Sequence, residues 1–372
     1  MGLKVYVLPA DRYGCGHYRL VWPAWVMRRD LGWDIEILPP GSDADDKRGF
    51  KALMRETSPG KREIVSLSIP EDADLLVVQR PAHEYQPNMI RVLRENGIAV
   101  VVDMDDDMTH IHPKNVAYNT YSPKSNTQFS WKYATESCRE ATFVTTSTAN
   151  LQRVYARPGR GVTLDNYVPG VTLTYDKPET GRFGWGGTTA SHPDDLTVCG
   201  NAAQRLVDEG HQVAVIGPPM IKRKQAPAIK SSVKEQLRLR DEPFHTGDVG
   251  IDVWIKTIAE TLDVGMVPLA PNPFNASKSR LKGIEYMAAG VAWVASPRTE
   301  YLRLNRESGC GLLAPDPRAW YTSLKRLLTD EPFRKEQVEM GREYMRNQTY
   351  EAQAWRWAEA WETAYKIQKS LA

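Results

Sequence analysis

Short apolar segments alternate with helical stretches along the chain, and this alternation begins twice. The first series has predicted strands at 4–9, 33–38, 74–79, 98–103 and 141–145, and the second has them at 181–185, 212–217, 264–269, 292–296 and 311–314. Short apolar strands separated by helices are typical of a parallel sheet whose faces are covered by crossover helices. The chain is therefore predicted to be α/β, with two similar units in tandem.

The turn-rich segment 165–170 lies between the two series and is the predicted linker. The chain has 372 residues, and a domain commonly contains roughly 100–200, so two domains are expected. We predict an N-terminal domain at 1–170, a second domain at 171–345 and a C-terminal helix at 346–372. Ligands of such sheets bind at the carboxyl ends of the strands, so the site should lie there.

Composition and charge exclude several classes of protein. Hydrophobic residues make up 41%, charged residues 25%, and the net charge is +2, which excludes a disordered chain and a generally basic nucleic-acid binder. No apolar run approaches the roughly 18 residues of a spanning helix, so no transmembrane segment is predicted. The four cysteines form no CxxC pair and no signal peptide is recognised, so a cytoplasmic location is expected.

One local segment, between residues 222 and 240, is strongly basic. It contains seven basic side chains and one acidic side chain, Glu235; the basic ones are Lys222, Arg223, Lys224, Lys230, Lys234, Arg238 and Arg240. The run is interpreted either as a solvated loop and helix face or as a contact for an anionic acceptor.

The segment 273–290 has the sharpest pattern. A helix is predicted from about residue 278, with Asn275 or Ser277 as the N-cap and its end at Gly290. On that helix Lys278, Lys282 and Glu285 would share one stripe. Two ammonium groups at a helix N-terminus could bind a diphosphate, and a carboxylate one turn further could accept hydrogen bonds from ribose hydroxyls. The alternative is a solvated stripe of surface charges.

Glycine-rich loops follow the first strand of each series. The first contains Gly14, Gly16, His17 and Arg19, and the second contains Gly186, Gly187, Thr188 and His192. Glycines let backbone N–H groups approach a ligand closely, and Arg19 could bind an anion, although an ordinary tight turn fits the first loop equally well. Ser191 is predicted to cap a helix at 193–209. His192 could make either a loop hydrogen bond or a ligand contact.

Four carboxylates lie within residues 103–107, at the end of a predicted buried strand. Their mutual repulsion requires cationic or hydrogen-bonding compensation. Three interpretations stay open for this segment: a metal site, a contact with sugar or acceptor hydroxyls, and helix capping with solvation. His110 and His112 follow, but no third ligand is evident, so no metal is predicted and polar contacts are favoured.

The second series resembles the nucleotide-sugar domain of GT-B glycosyltransferases, most closely the retaining glycosyltransferase family 4 and phage-encoded relatives. The resemblance rests on 263–269, on Lys278, Lys282 and 285–290, and on 183–188, 192–196, 215–217 and 309–313. The N-terminal half matches more loosely, through 14–19 and 146–148. One departure concerns the Glu-x7-Glu motif: its first Glu would fall at Ser277, which leaves Glu285 alone.

The resemblance implies two facing Rossmann-like domains with a cleft between them. The N-terminal domain would hold the acceptor, the second would bind the nucleotide sugar, and the last helix would pack back on the first domain. Donor contacts would come from the two glycine loops, His192, Asn275, Lys278, Lys282 and Glu285. The co-substrate would be a UDP-sugar or a GDP-sugar, with no further cofactor. A phage-encoded protein would act in the host cytoplasm.

The resemblance also implies transfer with retention of configuration, in which the leaving phosphate helps to deprotonate the acceptor. Lys282 would stabilise the leaving diphosphate, and Asp105, Asp106 or His110 would position the sugar or acceptor. The acceptor could be a glycan, a lipid or a modified DNA base, and the oligomeric state is left open. The alternatives are a sugar-nucleotide 2-epimerase and a non-catalytic GT-B binding scaffold, the latter favoured by Ser277.

Overall fold

The computed structural model describes residues 2–39, 51–58, 61–126, 129–217 and 232–371. The chain divides into two compact units. Unit 1 contains Met1–Ile111, Tyr118–Asn166 and Tyr350–Ala372, and unit 2 contains His112–Ala117 and Tyr167–Thr349. The sequence did not indicate that the short segment His112–Ala117 belongs to unit 2.

Unit 1 contains a parallel sheet of six strands in the order β2-β1-β5-β6-β7-β8. The strands of unit 1, including two outside this sheet, are β1 (Lys4–Leu8), β2 (Asp34–Ile37), β3 (Lys51–Ser58), β4 (Lys61–Ser68), β5 (Leu75–Gln79), β6 (Ala99–Met104), β7 (Phe143–Thr146) and β8 (Gly161–Thr163). The central strands β5 and β6 are buried along their whole length, which explains their unbroken apolar sequences.

The helices of unit 1 that precede the linker cover this sheet. They are α1 (Gly14–Gly16), α2 (Trp22–Asp30), α3 (Gln86–Glu95), α4 (Tyr118–Tyr121), α5 (Ser130–Glu140) and α6 (Ala149–Tyr155). A π-helical turn, His17–Val21, joins α1 to α2. The predicted helix at 18–31 is thus present, with an irregular first turn.

The strands β3 and β4 form a separate antiparallel hairpin. The sequence indicates a polar surface excursion at 41–65, and most of its described residues are exposed, but the sequence does not predict the hairpin. Charged side chains alternate with few apolar ones there, so the pattern lacks the buried face by which a strand is normally identified. Residues 40–50 lie outside the described part of the chain.

Unit 2 repeats the design with a parallel sheet in the order β11-β10-β9-β12-β13-β14. This is the Rossmann order, in which the first strand lies at the centre. The strands are β9 (Arg182–Gly186), β10 (Gln212–Ile216), β11 (Phe244–His245), β12 (Val264–Val267), β13 (Ala292–Ala295) and β14 (Leu312–Leu313). The helices are α7 (Ala202–Asp208), α8 (Val233–Gln236), α9 (Trp254–Thr261), α10 (Pro273–Ala276), α11 (Leu281–Ala288), α12 (Thr299–Ser308), α13 (Pro317–Thr329) and α14 (Glu331–Met345).

The final helices, α15 (Tyr350–Gln353) and α16 (Trp355–Lys369), belong to unit 1. The indole N–H of Trp357 donates to the backbone oxygen of Arg19 over 3.0 Å, and the Gln368 amide donates to the backbone oxygen of Arg94 over 2.8 Å. Trp357 and Trp361, both fully buried, thus complete the core of unit 1 near the C-terminus. Within the described ranges, no helix combines the length and apolar character needed to cross a bilayer.

Candidate functional site

The glycine loop of unit 2 lies at the carboxyl end of β9. Gly187 has a φ of +148° and Gly217, after β10, has a φ of +132°. A Cβ on Gly217 would stand 2.4 Å from the backbone oxygen of Gly187, so the two segments approach more closely than a side chain permits. The Gly187 N–H donates to the Ile216 oxygen over 2.9 Å. The ends of β9 and β10 are therefore fixed against each other.

Lys282, in the first turn of α11, reaches this loop. Its Nζ donates to the backbone oxygen of Gly186 over 2.5 Å and lies 5.6 Å from the centroid of the Trp185 ring. Burial lowers the pKa of Lys282, and Lys278 lowers it further, while Glu285 opposes the shift. An ammonium group has three donors, and the described residues provide an acceptor for one of them. Lys282 can therefore still donate to an anion at the loop.

The predicted stripe of Lys278, Lys282 and Glu285 on one helix is wrong, because Lys278 lies outside α11. Asn272 caps α10 by accepting a hydrogen bond from the backbone of Asn275, with Pro273 as the first helical residue, so the chain enters a helix earlier than predicted. That helix ends after Ala276, and α11 begins only at Leu281. Lys278 therefore lies between two helices, with its Nζ 4.5 Å from the Phe274 ring centroid. The predicted end at Gly290 agrees with its φ of +68°.

Glu285 is buried, and its Oε1 accepts a hydrogen bond from the indole N–H of Trp254 over 3.0 Å. The same indole packs against Gly186, where an added Cβ would stand 3.2 Å from the ring. Trp254 thus holds the Glu285 carboxylate beside the glycine loop. Trp254 is not predictable as a site residue, because nothing local in the sequence distinguishes it from a core tryptophan at the start of a helix.

His192 belongs to a buried network centred on Asp195. The Asp195 Oδ2 lies 3.0 Å from His192 Nδ1, and its Oδ1 accepts from the Asn275 amide over 2.6 Å and from the Ala270 N–H over 2.9 Å. The second hydrogen of the Asn275 amide goes to the Ala270 oxygen over 3.1 Å. Both amide N–H groups of Asn275 are therefore used inside the protein, where they position Asp195 and the Ala270 backbone. A contact of Asn275 with the donor stays a prediction.

The predicted helix start at Ser191 is also wrong. Asp194 takes a left-handed conformation, with a φ of +62°, and a 3-10 turn at Asp195–Cys199 precedes α7. Asp195 is the first residue of this turn, and its carboxylate contacts His192 of the glycine loop. Thr188 supports the same loop by accepting a hydrogen bond from the Ala190 N–H over 3.2 Å.

Arg19 of unit 1 is a buried structural residue, so its predicted contact with a donor anion is wrong. Its side chain is 1% exposed. The guanidinium donates twice to the Asp103 carboxylate, at 3.0 and 2.8 Å, and also to the Leu164 oxygen and the Asn166 side chain. This pair supplies the cationic compensation that the acidic segment requires, and it leaves Arg19 no open side for a ligand.

The first glycine loop is closed by a carboxylate. The Asp11 side chain accepts hydrogen bonds from the N–H groups of Tyr13, at 2.9 Å, and Gly16, at 3.0 Å. A Cβ on Gly16 would stand 2.1 Å from the backbone oxygen of Asp11, so only glycine fits at this position. Gly14 begins the short helix α1. The predicted approach of this loop to a phosphate is wrong at Gly16, because its N–H is already used.

His17 follows the loop and borders a groove of about 470 Å³ beside the ends of β1 and β2. Its Nδ1 lies 2.8 Å from the Tyr13 oxygen, and its ring packs edge-on against Trp22. The groove has a mostly apolar lining with a few polar side chains, formed by Pro9, Asp11, Arg12, His17, Val21, Ile37, Leu38 and Pro39.

Two other carboxylates of the acidic segment, Asp105 and Asp107, each lie beside a basic side chain. The Asp105 Oδ1 lies 3.2 Å from the Arg80 Nε, and burial raises the pKa of Asp105 although Arg80 opposes the shift. The buried Asp107 holds His110 through Nδ1 at 2.8 Å, and the His110 side chain is 52% exposed. No cluster of three or more His, Cys, Asp or Glu that could hold a metal occurs in the part of the chain that the structure describes.

His112 lies in unit 2, and its Nδ1 accepts a hydrogen bond from the Lys114 N–H over 3.2 Å. The basic run is described only from residue 232 onward, and its residues 222–231 lie outside the described residues. In the described part, Glu235 completes a capping box with Ser232, and Arg240 forms an ion pair with Asp208.

No protein-family model and no curated protein matches this chain. Solved structures do. Sucrose-phosphate synthase from Thermosynechococcus elongatus is 15% identical with a TM-score of 0.64, over 98% of this chain and 100% of that one. Anabaena HepE in complex with UDP-glucose is 12% identical with a TM-score of 0.60, over 99% of each chain.

A trehalose 6-phosphate synthase from Burkholderia multivorans is 11% identical with a TM-score of 0.59, and the match covers 100% of both chains. At these identities the likeness concerns the fold. The fold prediction is confirmed: this chain has the GT-B fold of these glycosyltransferases, with two Rossmann-like units.

Proposed function

We propose that this protein is a glycosyltransferase that moves a sugar from a nucleotide-sugar donor to an acceptor hydroxyl. The observation that carries the proposal is the Lys282 ammonium group, held on the Gly186 oxygen at the glycine loop of unit 2. A desolvated cation beside a glycine loop is suited to a diphosphate leaving group. Lys278, in the segment that leads into α11, adds a second cation, and it lowers the pKa of Lys282.

Glu285 has the role of ribose acceptor in this proposal. Trp254 occupies Oε1 and fixes the orientation of the carboxylate. We propose UDP as the nucleotide, with GDP as the alternative, because the solved HepE structures with this fold contain UDP or UDP-glucose. No further cofactor is proposed.

We propose that transfer retains the anomeric configuration, as in the retaining glycosyltransferase family 4 and the phage-encoded relatives that the sequence resembles. In that reaction the leaving phosphate takes the proton of the acceptor hydroxyl, so no side-chain nucleophile is needed. Unit 1 would hold the acceptor, with Asp105 or His110 as positioning groups. His110 suits this role, because the buried Asp107 fixes its ring while most of the side chain reaches solvent.

The acceptor is proposed as a glycan, a lipid or a modified DNA base. The groove beside His17 supports an acceptor with an apolar portion, because most of its lining is apolar. All four cysteines are free thiols, which supports the cytoplasm as the location, or the host cytoplasm for a phage protein.

The first test is turnover by Lys282→Ala with UDP-glucose and a panel of acceptors. Removal of the cation should lower turnover by at least about 100-fold, since one electrostatic contact to a leaving group contributes about 3 kcal/mol. Lys256→Ala is the matched control, because Lys256 lies on the surface of the same unit and pairs only loosely with Glu260, at 3.8 Å.

Unchanged turnover in Lys282→Ala would overturn the proposal. Analysis of the products by NMR reports the anomeric configuration of the transferred sugar. It also distinguishes transfer from epimerisation at C2, which yields a new nucleotide sugar without an acceptor. Binding of UDP-glucose with no turnover of any kind would instead support a binding scaffold.

A further inference from the structure

Both carboxylate oxygens of Asp195 have hydrogen-bond partners. Its Oδ1 receives the Ala270 N–H and the Asn275 amide N–H, and both of these groups can only donate. Its Oδ2 lies 3.0 Å from His192 Nδ1. An ionised carboxylate satisfies all three contacts at once, so the Nδ1 of His192 carries a hydrogen. In a neutral ring, Nε2 then has the lone pair.

The surroundings of His192 are cationic. Lys282, on α11, and Lys278, before α11, both lower the pKa of His192, although burial is the largest cause and Asp195 opposes the shift. Trp185, on β9, packs edge-on against the ring at 5.9 Å. The nearby Asp194 is already paired with Lys114 at 2.6 Å. The side chain is 15% exposed, and no described residue bonds Nε2.

Before the donor binds, the site therefore contains two ammonium groups beside a neutral imidazole whose Nε2 is an acceptor. An anionic phosphate oxygen is also an acceptor, so the neutral ring cannot bond to it. A protonated ring could donate from Nε2 while Asp195 still receives the hydrogen on Nδ1. The charge of a diphosphate would stabilise that protonated ring.

We propose that His192 takes up one proton from solvent when the donor diphosphate binds, and that Asp195 is the positioning residue that makes Nε2 the atom facing the phosphate. This inference rests on the proposed function, because it requires a diphosphate beside Lys282. The proton adds to Nε2, and the resulting imidazolium donates to a phosphate oxygen. Binding should therefore strengthen as the pH falls, because only the bound state holds the proton near neutral pH.

The test is calorimetry of UDP-glucose binding to the full chain at pH 6, 7 and 8. UDP-glucose is the probe because its diphosphate is esterified at both ends and does not titrate in this range. At pH 7, measurement in two buffers of different ionisation enthalpy gives the number of protons taken up. We expect net uptake approaching one proton and affinity that falls by up to tenfold per pH unit.

Two variants distinguish this role from a merely structural one. His192→Gln should bind more weakly and show no proton uptake. In Asp195→Asn, the amide can donate to Nδ1, so the neutral ring carries its hydrogen on Nε2 and can bond to phosphate directly. That variant should bind with an affinity independent of pH. His211→Gln, in the same unit, is the control and should retain the linkage.

The proposal is overturned if the wild-type protein binds UDP-glucose without proton uptake, or if Asp195→Asn keeps the wild-type pH profile. In that case the donor assignment itself still stands. Failure of the wild-type protein to bind UDP-glucose or any other nucleotide sugar would overturn both proposals together. Thermal unfolding of each variant separates a loss of folding from a change in linkage.

Discussion

At the scale of single residues, the sequence predicts an anion contact for both Arg19 and Lys282, but the structure gives them opposite environments. Arg19 makes four hydrogen bonds inside unit 1, two of them to a carboxylate 84 residues away in the chain. Lys282 gives one hydrogen bond to a backbone oxygen and keeps donors for a ligand. In both cases the sequence signal for an anion contact consists of a basic residue type and its local spacing. The difference arises from a partner that only the folded chain brings near.

The Arg19–Asp103 pair predicts a large loss of stability on removal of one partner. Arg19→Met should lower the free energy of unfolding by about 3–5 kcal/mol, because it leaves a buried carboxylate without its counter-charge. Urea denaturation measures the change. The exposed pair of Lys4 with Asp34 is the control, and Lys4→Met should cost less than about 1 kcal/mol. Equal losses in the two variants would contradict this account.

At the scale of elements, the site consists of segments whose ends the sequence predicted poorly. The helix expected from residue 278 begins at Leu281, and the helix expected from residue 193 begins only at Ala202, after a 3-10 turn. In the first place a competing local signal, the cap at Asn272, starts a separate short helix. In the second, Asp195 accepts a tertiary hydrogen bond from Asn275, 80 residues away in the chain. The sequence predicts the glycines of the site better than the helix ends, because a close approach of two backbone segments leaves no room for a side chain.

The contact between Gly187 and Gly217 predicts a specific effect on donor binding. In Gly217→Ala, the Cβ would meet the Gly187 oxygen at 2.4 Å and displace the loop that Lys282 contacts. The affinity for UDP-glucose, measured by calorimetry, should fall by at least about tenfold, or 1.4 kcal/mol. Gly210→Ala is the control, since Gly210 also has a positive φ, +94°, but an added Cβ meets nothing within 4 Å. Equal affinities in the two variants would contradict a role for the clash.

At the scale of the whole molecule, the chain leaves unit 1, forms unit 2 and returns, so that its last helices complete the first core. Trp357 and Trp361 of α16 are fully buried in that core, and Trp361 packs edge-on against Trp33 at 6.1 Å. Unit 1 therefore depends on residues that are synthesised after all of unit 2. The sequence resemblance implied this return, and hydrophobic patterning alone did not.

From the position of α16 we predict that a core substitution in this helix lowers hydrogen-exchange protection in unit 1 only. Trp361→Ala should destabilise unit 1 by about 3–5 kcal/mol, because it empties a fully buried indole site. Hydrogen exchange should then accelerate in β5 and β6 and change little in β9 and β12. Trp355→Ala removes a tryptophan of the same helix that is 53% exposed, and should leave both units protected. Equal acceleration in β5 and β9 would contradict this prediction.

The sequence by itself determined the two parallel sheets, because strand and helix periodicities report local burial, and it located the glycines and the Gly290 helix end, which depend on backbone sterics. Tertiary structure decided which charged groups are open to a ligand. Asp103 took Arg19, and Asp105 faces Arg80. Such pairing depends on desolvation and on distances between segments remote in sequence, which no local pattern encodes.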